Sequence, residues 1–378
     1  MPHDRDAVIT GIGLISCLGE GVDAHWDALN AFSPVVDTTS FPGFPIHPMA
    51  PIALDGQISK REQRQMEPWQ RYGTYAAGAA LDHAGIKGNT ELLSRMHMIV
   101  AAGGGERDYA ADEAIMSGIP KAPDPDGYLN EHLLSDLRPT LFLAQLSNLL
   151  AGNISLVHGV VGSSRTFMGE EAAGADAIRI ACARIAAGQG DCFLVGGSHN
   201  AHRADTVMLY EMGHILRKQT YAGVWERQAE GGGMILSSLG CFLVIESRSH
   251  AEKRGATSLA RIAAVATDRK QIAPLPGPFD AAISVASGVA APTAAEKKFL
   301  DALGIPVRAG GNALGHSMEP SFVANIALAA ITVSRGKLFP PTEAAEAPMD
   351  GPVRDVLVTS WGHWRGEALA HVTAAEGK

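Results

Sequence analysis

The side chains best able to do chemistry in this sequence are a pair of glutamates and a few histidines, each set beside glycines. Glu170 and Glu171 stand in Gly-Glu-Glu-Ala-Ala-Gly, at the head of an Ala-rich stretch that runs to Gly188. That stretch predicts a helix over Ala172–Ala187 with Gly188 as its stop. A carboxylate at a helix N-terminus is stabilised by the free amides and the positive end of the dipole, and it can pair with a neighbouring histidine. His199 and His363 each follow a strand-like run and invite a metal reading, but no Cys, His or Asp stands at ligand spacing from them. No metal and no cofactor are therefore expected. The four cysteines, Cys17, Cys182, Cys192 and Cys241, form no CxxC pair. Each lies in or beside an apolar run and reads as a small buried hydrophobe. The glycine runs Gly103–Gly105 and Gly231–Gly233 read as tight packing turns rather than phosphate cradles.

Composition narrows the partners. The chain has 378 residues, is 46% hydrophobic and only 19% charged, and carries a net charge of −9. Such a chain buries a large core and is not disordered. The negative balance and the lack of any Lys/Arg-rich run argue against nucleic acid. Arg5, Lys60, Arg61, Arg64 and Arg71 offer a small basic patch if the fold brings them together. The opening Met-Pro-His-Asp-Arg-Asp lacks the basic and apolar regions of a signal peptide. No stretch of about 18 apolar residues predicts a membrane span. The expected setting is the cytoplasm.

The elements that must position these groups alternate between strand and helix. Apolar runs at Ala7–Ile15, Met96–Ala102, Asp191–Val195, Arg261–Ala266 and Asp355–Thr359 read as strands, several closed by glycines. Ala-rich helices between them predict an α/β protein whose sheet is covered on both faces. Ala172–Ala187 and Phe322–Arg335 are apolar on every side and are expected to be buried all round. Asp191–His199 and Asp355–His363 share a pattern of acid, apolar strand, small residues and histidine, and each lies downstream of one of those helices. This hints at an internal repeat, with 1–250 and 251–378 as the two parts. Pro-rich Phe41–Pro51, Ala122–Gly127 and Ala273–Pro278 are expected to form no regular element.

Val8-Ile-Thr-Gly-Ile-Gly-Leu-Ile-Ser-Cys-Leu-Gly19 resembles the first strand and turn of the β-ketoacyl-acyl-carrier-protein synthases, or ketosynthases. The resemblance continues through 146–162, 188–197, 230–246, 314–328 and 356–366. It implies a thiolase-like α/β fold of two similar halves in a five-layered αβαβα arrangement, and usually a dimer. The family uses one cysteine at the N-terminus of a buried helix and two histidines. Counted back from Gly188, the cysteine's place is taken by Glu171, and a one-residue slip gives only another glutamate or an alanine. The first histidine's loop matches Val285-Ala-Ser-Gly-Val-Ala-Ala-Pro292, which puts Ser287 at its place. The second matches Gly311-Asn-Ala-Leu-Gly-His316, which keeps His316 but has Gly311 where the family has a supporting lysine. The glycine-rich gating loop matches Gly362–Glu367, where His363 and Trp364 are far bulkier. The fold implied would bring His316 towards Glu171.

A carboxylate cannot take up an acyl group from a thioester as a thiolate does, and without Ser287's histidine counterpart enolate stabilisation is weakened. The resemblance thus implies an acyltransferase-family chain that does not condense alone. It would act, as chain-length factors do, beside an active ketosynthase subunit and an acyl carrier protein in fatty acid or polyketide biosynthesis. Two further readings stay open. One is a malonyl-carrier-protein decarboxylase, by analogy with family members that have glutamine at this position. The other is a homodimeric binding or structural protein on the same fold.

Overall fold

The computed structural model describes residues 4–137, 141–268, 272–364 and 366–375. Its strands are β1 (Ala7–Ser16), β2 (Gly19–Glu20), β3 (Ile46–His47), β4 (His97–Ala101), β5 (Ser164–Phe167), β6 (Cys192–His199), β7 (Leu236–Ser237), β8 (Leu239–Ser247), β9 (Ala260–Asp268), β10 (Ala281–Ser284), β11 (Val307–Ala309), β12 (Asp355–Trp361) and β13 (Glu367–Ala374). One eleven-stranded sheet runs β11-β10-β12-β13-β9-β1-β8-β6-β4-β5, with β2 attached to β1. Its two sides repeat one plan. From each outer edge three parallel strands (β5-β4-β6 and β11-β10-β12) meet two antiparallel ones (β8-β1 and β13-β9). Among the described residues, strand pairing joins the sides where Ala7–Ile9 of β1 meets Ala260–Ile262 of β9.

Between the two sides lie the Glu171–Ala186 and Ser321–Arg335 helices, packed in one apolar core with residues of β1, β4, β6, β8, β9, β10, β12 and β13. The Pro68–His83 helix covers the outer face of one side. The Ala290–Asp301 helix covers the outer face of the other. This is the five-layered αβαβα arrangement. The matching segments 191–199 and 355–363 form β6 and β12, each the third strand in from its own edge. Residue 250 falls in the Arg248–Lys253 helix that links β8 to β9.

Several expectations need correction. β6 does not stop at Val195 but continues through both glycines to His199. A Cβ on Gly196 would lie 2.1 Å from the Cys241 carbonyl oxygen, and one on Gly197 equally close to that of Ala101. The glycines are there to let strands close up, not to end them. The Ser321–Arg335 helix is buried from Ser321 to Val333, but the Glu171–Ala186 helix is not buried all round. Asp176, Arg179 and Arg184 line a partly exposed face, and Cys182 sits at the rim of the core rather than inside it. Ala122–Gly127 is not loop throughout. Asp124 accepts the Gly127 N–H and Pro125 opens the Pro125–Ser135 helix, because the missing N–H of proline costs nothing in a first turn. Within Phe41–Pro51, Ile46 and His47 pair with β7. Arg5 binds Asp191 and the Gly190 carbonyl at the start of β6.

Candidate functional site at a helix N-terminus

The site is built where the Glu171–Ala186 helix begins. Gly169 (φ 136°) and Glu170 (φ 55°) turn the chain sharply into the helix, and a positive φ on a glutamate is uncommon enough to mark a constrained point. Glu171 is 2% exposed. Its Oε1 accepts the His363 N–H at 3.1 Å and lies 3.5 Å from His316 Nε2. Burial by itself would raise the Glu171 carboxyl, but His316 and the backbone N–H groups outweigh it and hold the group below its ordinary value. The structure thus brings together Glu171, His316 and His363, which lie far apart in the sequence.

His316 is fixed from its backbone. Its N–H donates to the Ile235 carbonyl and its own carbonyl accepts from Ser237. Gly315 before it has φ 67°, and a Cβ there would come within 2.5 Å of the His47 ring. Gly311 opens the short Gly311–Leu314 helix, and a Cβ on it would meet the Ala286 carbonyl oxygen at 3.1 Å and Val224 at 3.2 Å. That packing leaves little room for a long side chain. Ser287 stands apart from this cluster. Its hydroxyl accepts the Val289 N–H and its carbonyl accepts Arg227 Nη2 at 3.3 Å. Among the described residues no hydrogen bond or ion pair joins Ser287 to Glu171 or His316. His363 and Trp364 form an edge-to-face pair at 4.4 Å, and Trp364 stacks on Tyr210 at 5.4 Å. Arg365 of this loop lies outside the described residues.

Two clefts flank the helix start. One of about 1150 Å³ is lined by Glu171, Phe167, Met168, Arg179, Ser360 and Trp364. A smaller one of about 360 Å³ is lined by Gly103, His199, Tyr210, Met318 and Glu319. Glu319 is the residue the sequence reading missed. It is buried, its carboxyl lies where a Cβ on Gly103 would be 2.6 Å from Oε1, and its backbone carbonyl packs on Gly174. Burial, with Glu170 and Glu171 nearby, raises it to about 7. Its only sequence signal is its place three residues after His316, which no chemistry of spacing singles out.

His199 is a satisfied core histidine. Its Nδ1 meets the Ser237 carbonyl at 2.8 Å and burial lowers it to about 4. Among the described residues one trio, Cys192, Glu246 and His250, has ligand-like spacing. Glu246, however, already accepts from Thr10, His250 and both arms of Arg254, so its lone pairs are engaged and its charge is neutralised. Cys17 and Cys241 are buried thiols raised by desolvation, Cys17 to about 12. No cysteine hydrogen-bonds to Glu171 or His316 among the described residues.

Residues 53–251, more than half of the chain, match the beta-ketoacyl synthase N-terminal domain. The chain belongs to the beta-ketoacyl synthase family. Among curated relatives, 3-oxoacyl-[acyl-carrier-protein] synthase 2 of Vibrio cholerae is 24% identical over 271 residues, covering 68% of this chain and 62% of the relative. The chain thus spans about six-tenths of the length of the curated relatives it matches first. Among solved structures, the ishigamide ketosynthase/chain length factor superposes with a TM-score of 0.78 at 18% identity, covering 98% of this chain and 99% of that one. A type II PKS acyl-carrier protein in complex with its ketosynthase bound to the hexaketide gives 0.74 at 19% identity, covering 99% and 100%. The structural likenesses establish the thiolase-like ketosynthase fold. Among the described residues no helix is long and apolar enough to cross a membrane.

Proposed function

We propose that this chain is a non-condensing, chain-length-factor-like partner of an active ketosynthase in fatty acid or polyketide biosynthesis, working in the cytoplasm on chains held by an acyl carrier protein. One observation carries the reading: a buried carboxylate, Glu171, stands at the helix N-terminus beside His316, and by the family resemblance this would be the place of the condensing thiolate. Claisen condensation begins with acyl transfer to that thiolate. Glu171 cannot take that part, and Ser287 and Gly311 would complete the loss if they occupy the family's histidine and lysine places. Residues 1–250 and 251–378 would be the two halves of the scaffold.

A surface suited to the ketosynthase partner supports this. β5 ends the sheet with Ser164 and Arg165 exposed. Beside it in the chain Val161 and Met168 are exposed apolar side chains, as is Leu156 on the Leu149–His158 helix that packs on β5. An unprotected edge strand with apolar neighbours is a surface for pairing with another sheet. The carrier protein bound in one structural neighbour supports a carrier protein here as well. A malonyl decarboxylase is supported less, since an ionised Glu171 repels a malonate carboxylate. A homodimer built through the same edge is the remaining reading.

The test is co-expression with an intact Cys-His-His ketosynthase from the neighbouring genes, followed by native mass measurement and condensation assays. A one-to-one heterodimer, with product chain length altered by mutations in this chain, is expected. Condensation of acyl and malonyl carrier-protein thioesters by this chain alone would refute the reading.

A further inference from the structure

Two buried atoms near the start of the Glu171–Ala186 helix have hydrogen-bonding capacity to spare, although one of them, His316 Nε2, stands 3.5 Å from Glu171 Oε1. Glu171 Oε2 and His316 Nε2 are both buried and make no hydrogen bond, on side chains 2% and 3% exposed. Buried polar atoms are nearly always bonded, and a neighbouring pair left open asks what small polar group belongs between them. One oxygen of the carboxylate is already engaged by the His363 N–H. The open oxygen is an acceptor and the ring nitrogen can give or receive, so the missing group is one that donates to a carboxylate and meets an imidazole. A water molecule fits that description, since its oxygen can donate to the carboxylate and still meet the imidazole. Glu171 is also one of the residues lining the cleft of about 1150 Å³, which brings a substrate up to this residue. Phe167, Met168 and Trp364 provide apolar wall there, and Arg179, Asp268 and Glu367 provide polar wall. That mixture suits an acyl group joined to an amide-bearing thiol arm.

We propose that this pocket hydrolyses acyl thioesters, with Glu171 as general base towards a water held between Glu171 Oε2 and His316 Nε2. The water oxygen attacks the thioester carbonyl carbon as Glu171 takes one of its protons. The carbonyl electron pair moves onto its oxygen, and the resulting oxyanion is favoured by the positive end of the helix. When that pair returns, the carbon–sulfur bond breaks and the sulfur leaves with the proton that Glu171 had taken. One thioester and one water give one carboxylic acid and one thiol, with no oxidant, reductant or metal required. The activity is independent of the partner role, so either can hold without the other. A non-condensing subunit with such a pocket would release chains instead of extending them.

The full-length chain is incubated with hexanoyl-N-acetylcysteamine in heavy-oxygen water, and hexanoic acid is followed by mass spectrometry. Acid should form at least ~100-fold faster than in buffer, in the range that general-base catalysis contributes. The heavy oxygen should appear in the acid and not in the peptide that contains Glu171. Glu171→Gln should return the rate to within a few-fold of buffer while its circular dichroism stays native, and Cys182→Ala should keep the wild-type rate. Should Glu171→Gln fail to fold, His316→Gln is read instead, with a loss of at least ~10-fold. Buffer-level acid formation by the wild-type chain overturns the proposal. So does a Glu171→Gln variant as fast as wild type, or heavy oxygen in the Glu171 peptide, which would make the carboxylate a nucleophile.

Discussion

Two buried glutamates, Glu171 and Glu296, show opposite ways of keeping a carboxylate inside this protein. Glu296 lies on the Ala290–Asp301 helix against β10 and β12. Its Oε1 accepts the hydroxyls of Ser284 at 2.7 Å and Thr359 at 2.5 Å, and its Oε2 accepts the Trp361 N–H at 3.1 Å. Burial raises it, and hydroxyl and amide donors account for both of its oxygens. Glu171 has one oxygen engaged and the other open, a histidine for its charge, and a cleft beside it. The first arrangement ties a helix to two strands. The second leaves interaction capacity unused, which a fold tolerates where something else is meant to bind. Glu296 also serves the site indirectly, since Trp361 ends the strand from which the His363–Trp364 loop departs.

Substitution to alanine should separate them most sharply. Glu296→Ala strips the acceptor from two hydroxyls and an amide and opens a cavity, for an expected loss of about 3–5 kcal/mol. Glu171→Ala removes a weaker set of contacts beside an existing cleft and should cost about 1 kcal/mol. Equilibrium urea unfolding of both variants measures the difference. Equal losses would mean that Glu171 is as structural as Glu296.

Acidity offers a second comparison, between buried histidines and the buried acid Glu319. His25, His47 and His199 are each lowered by burial from 6.5 to about 4. Between those values the unfolded chain binds protons that the folded chain refuses, so stability falls as pH drops from 6.5 towards 4. Glu319 is raised from 4.5 to about 7. Its folded form keeps a proton that the unfolded form releases, so its contribution is lost as pH climbs from 4.5 to 7. Glu319→Gln should therefore add about 2 kcal/mol at pH 8 and almost nothing at pH 4. Denaturation curves at both values test the sign. A uniform change would remove Glu319 from the charged cluster around Glu171.

How much of this was legible in the sequence depends on what made each feature local. The Ser321–Arg335 helix, the central strands and the Glu171 helix start are written in apolar runs and glycine stops, and they appear where those signals put them. β5, with the sequence Ser-Arg-Thr-Phe, carried no such signal because an edge strand need not be apolar on either face. β10 and β11 were too short to stand out. Within the site, the pairing of Glu171 with His316 followed from a resemblance that aligned two distant loops. Glu319 escaped because its role depends on Gly103, more than two hundred positions earlier, leaving a space that only the folded chain closes. The length of β6 was misjudged for a related reason. A glycine that ends a strand and one that lets a neighbouring backbone approach look alike until the neighbour is in place.

The smallest effect expected is at Trp364, and it bears on whether the site is open or gated. Trp364 is 46% exposed, lines the larger cleft, and stacks on Tyr210, which lines the smaller one. Its ring thus touches the cleft beside Glu171 directly and the one beside Glu319 through Tyr210. Stacking of this kind contributes about 1 kcal/mol beyond burial, so Trp364→Ala should cost about that much in urea unfolding. Its larger consequence should be spatial, because removing the indole joins the two clefts. An apolar fluorescent dye should then bind more tightly to the variant than to the parent chain, while Phe299→Ala, which removes a ring stacked on Trp361 away from the clefts, should leave dye binding unchanged. Tighter dye binding by Trp364→Ala alone would mark the ring as a partition between the Glu171 and Glu319 sides. Unchanged dye binding, with a stability loss near that of Glu296→Ala, would instead place Trp364 with Glu296 among the residues whose main part is to hold the fold.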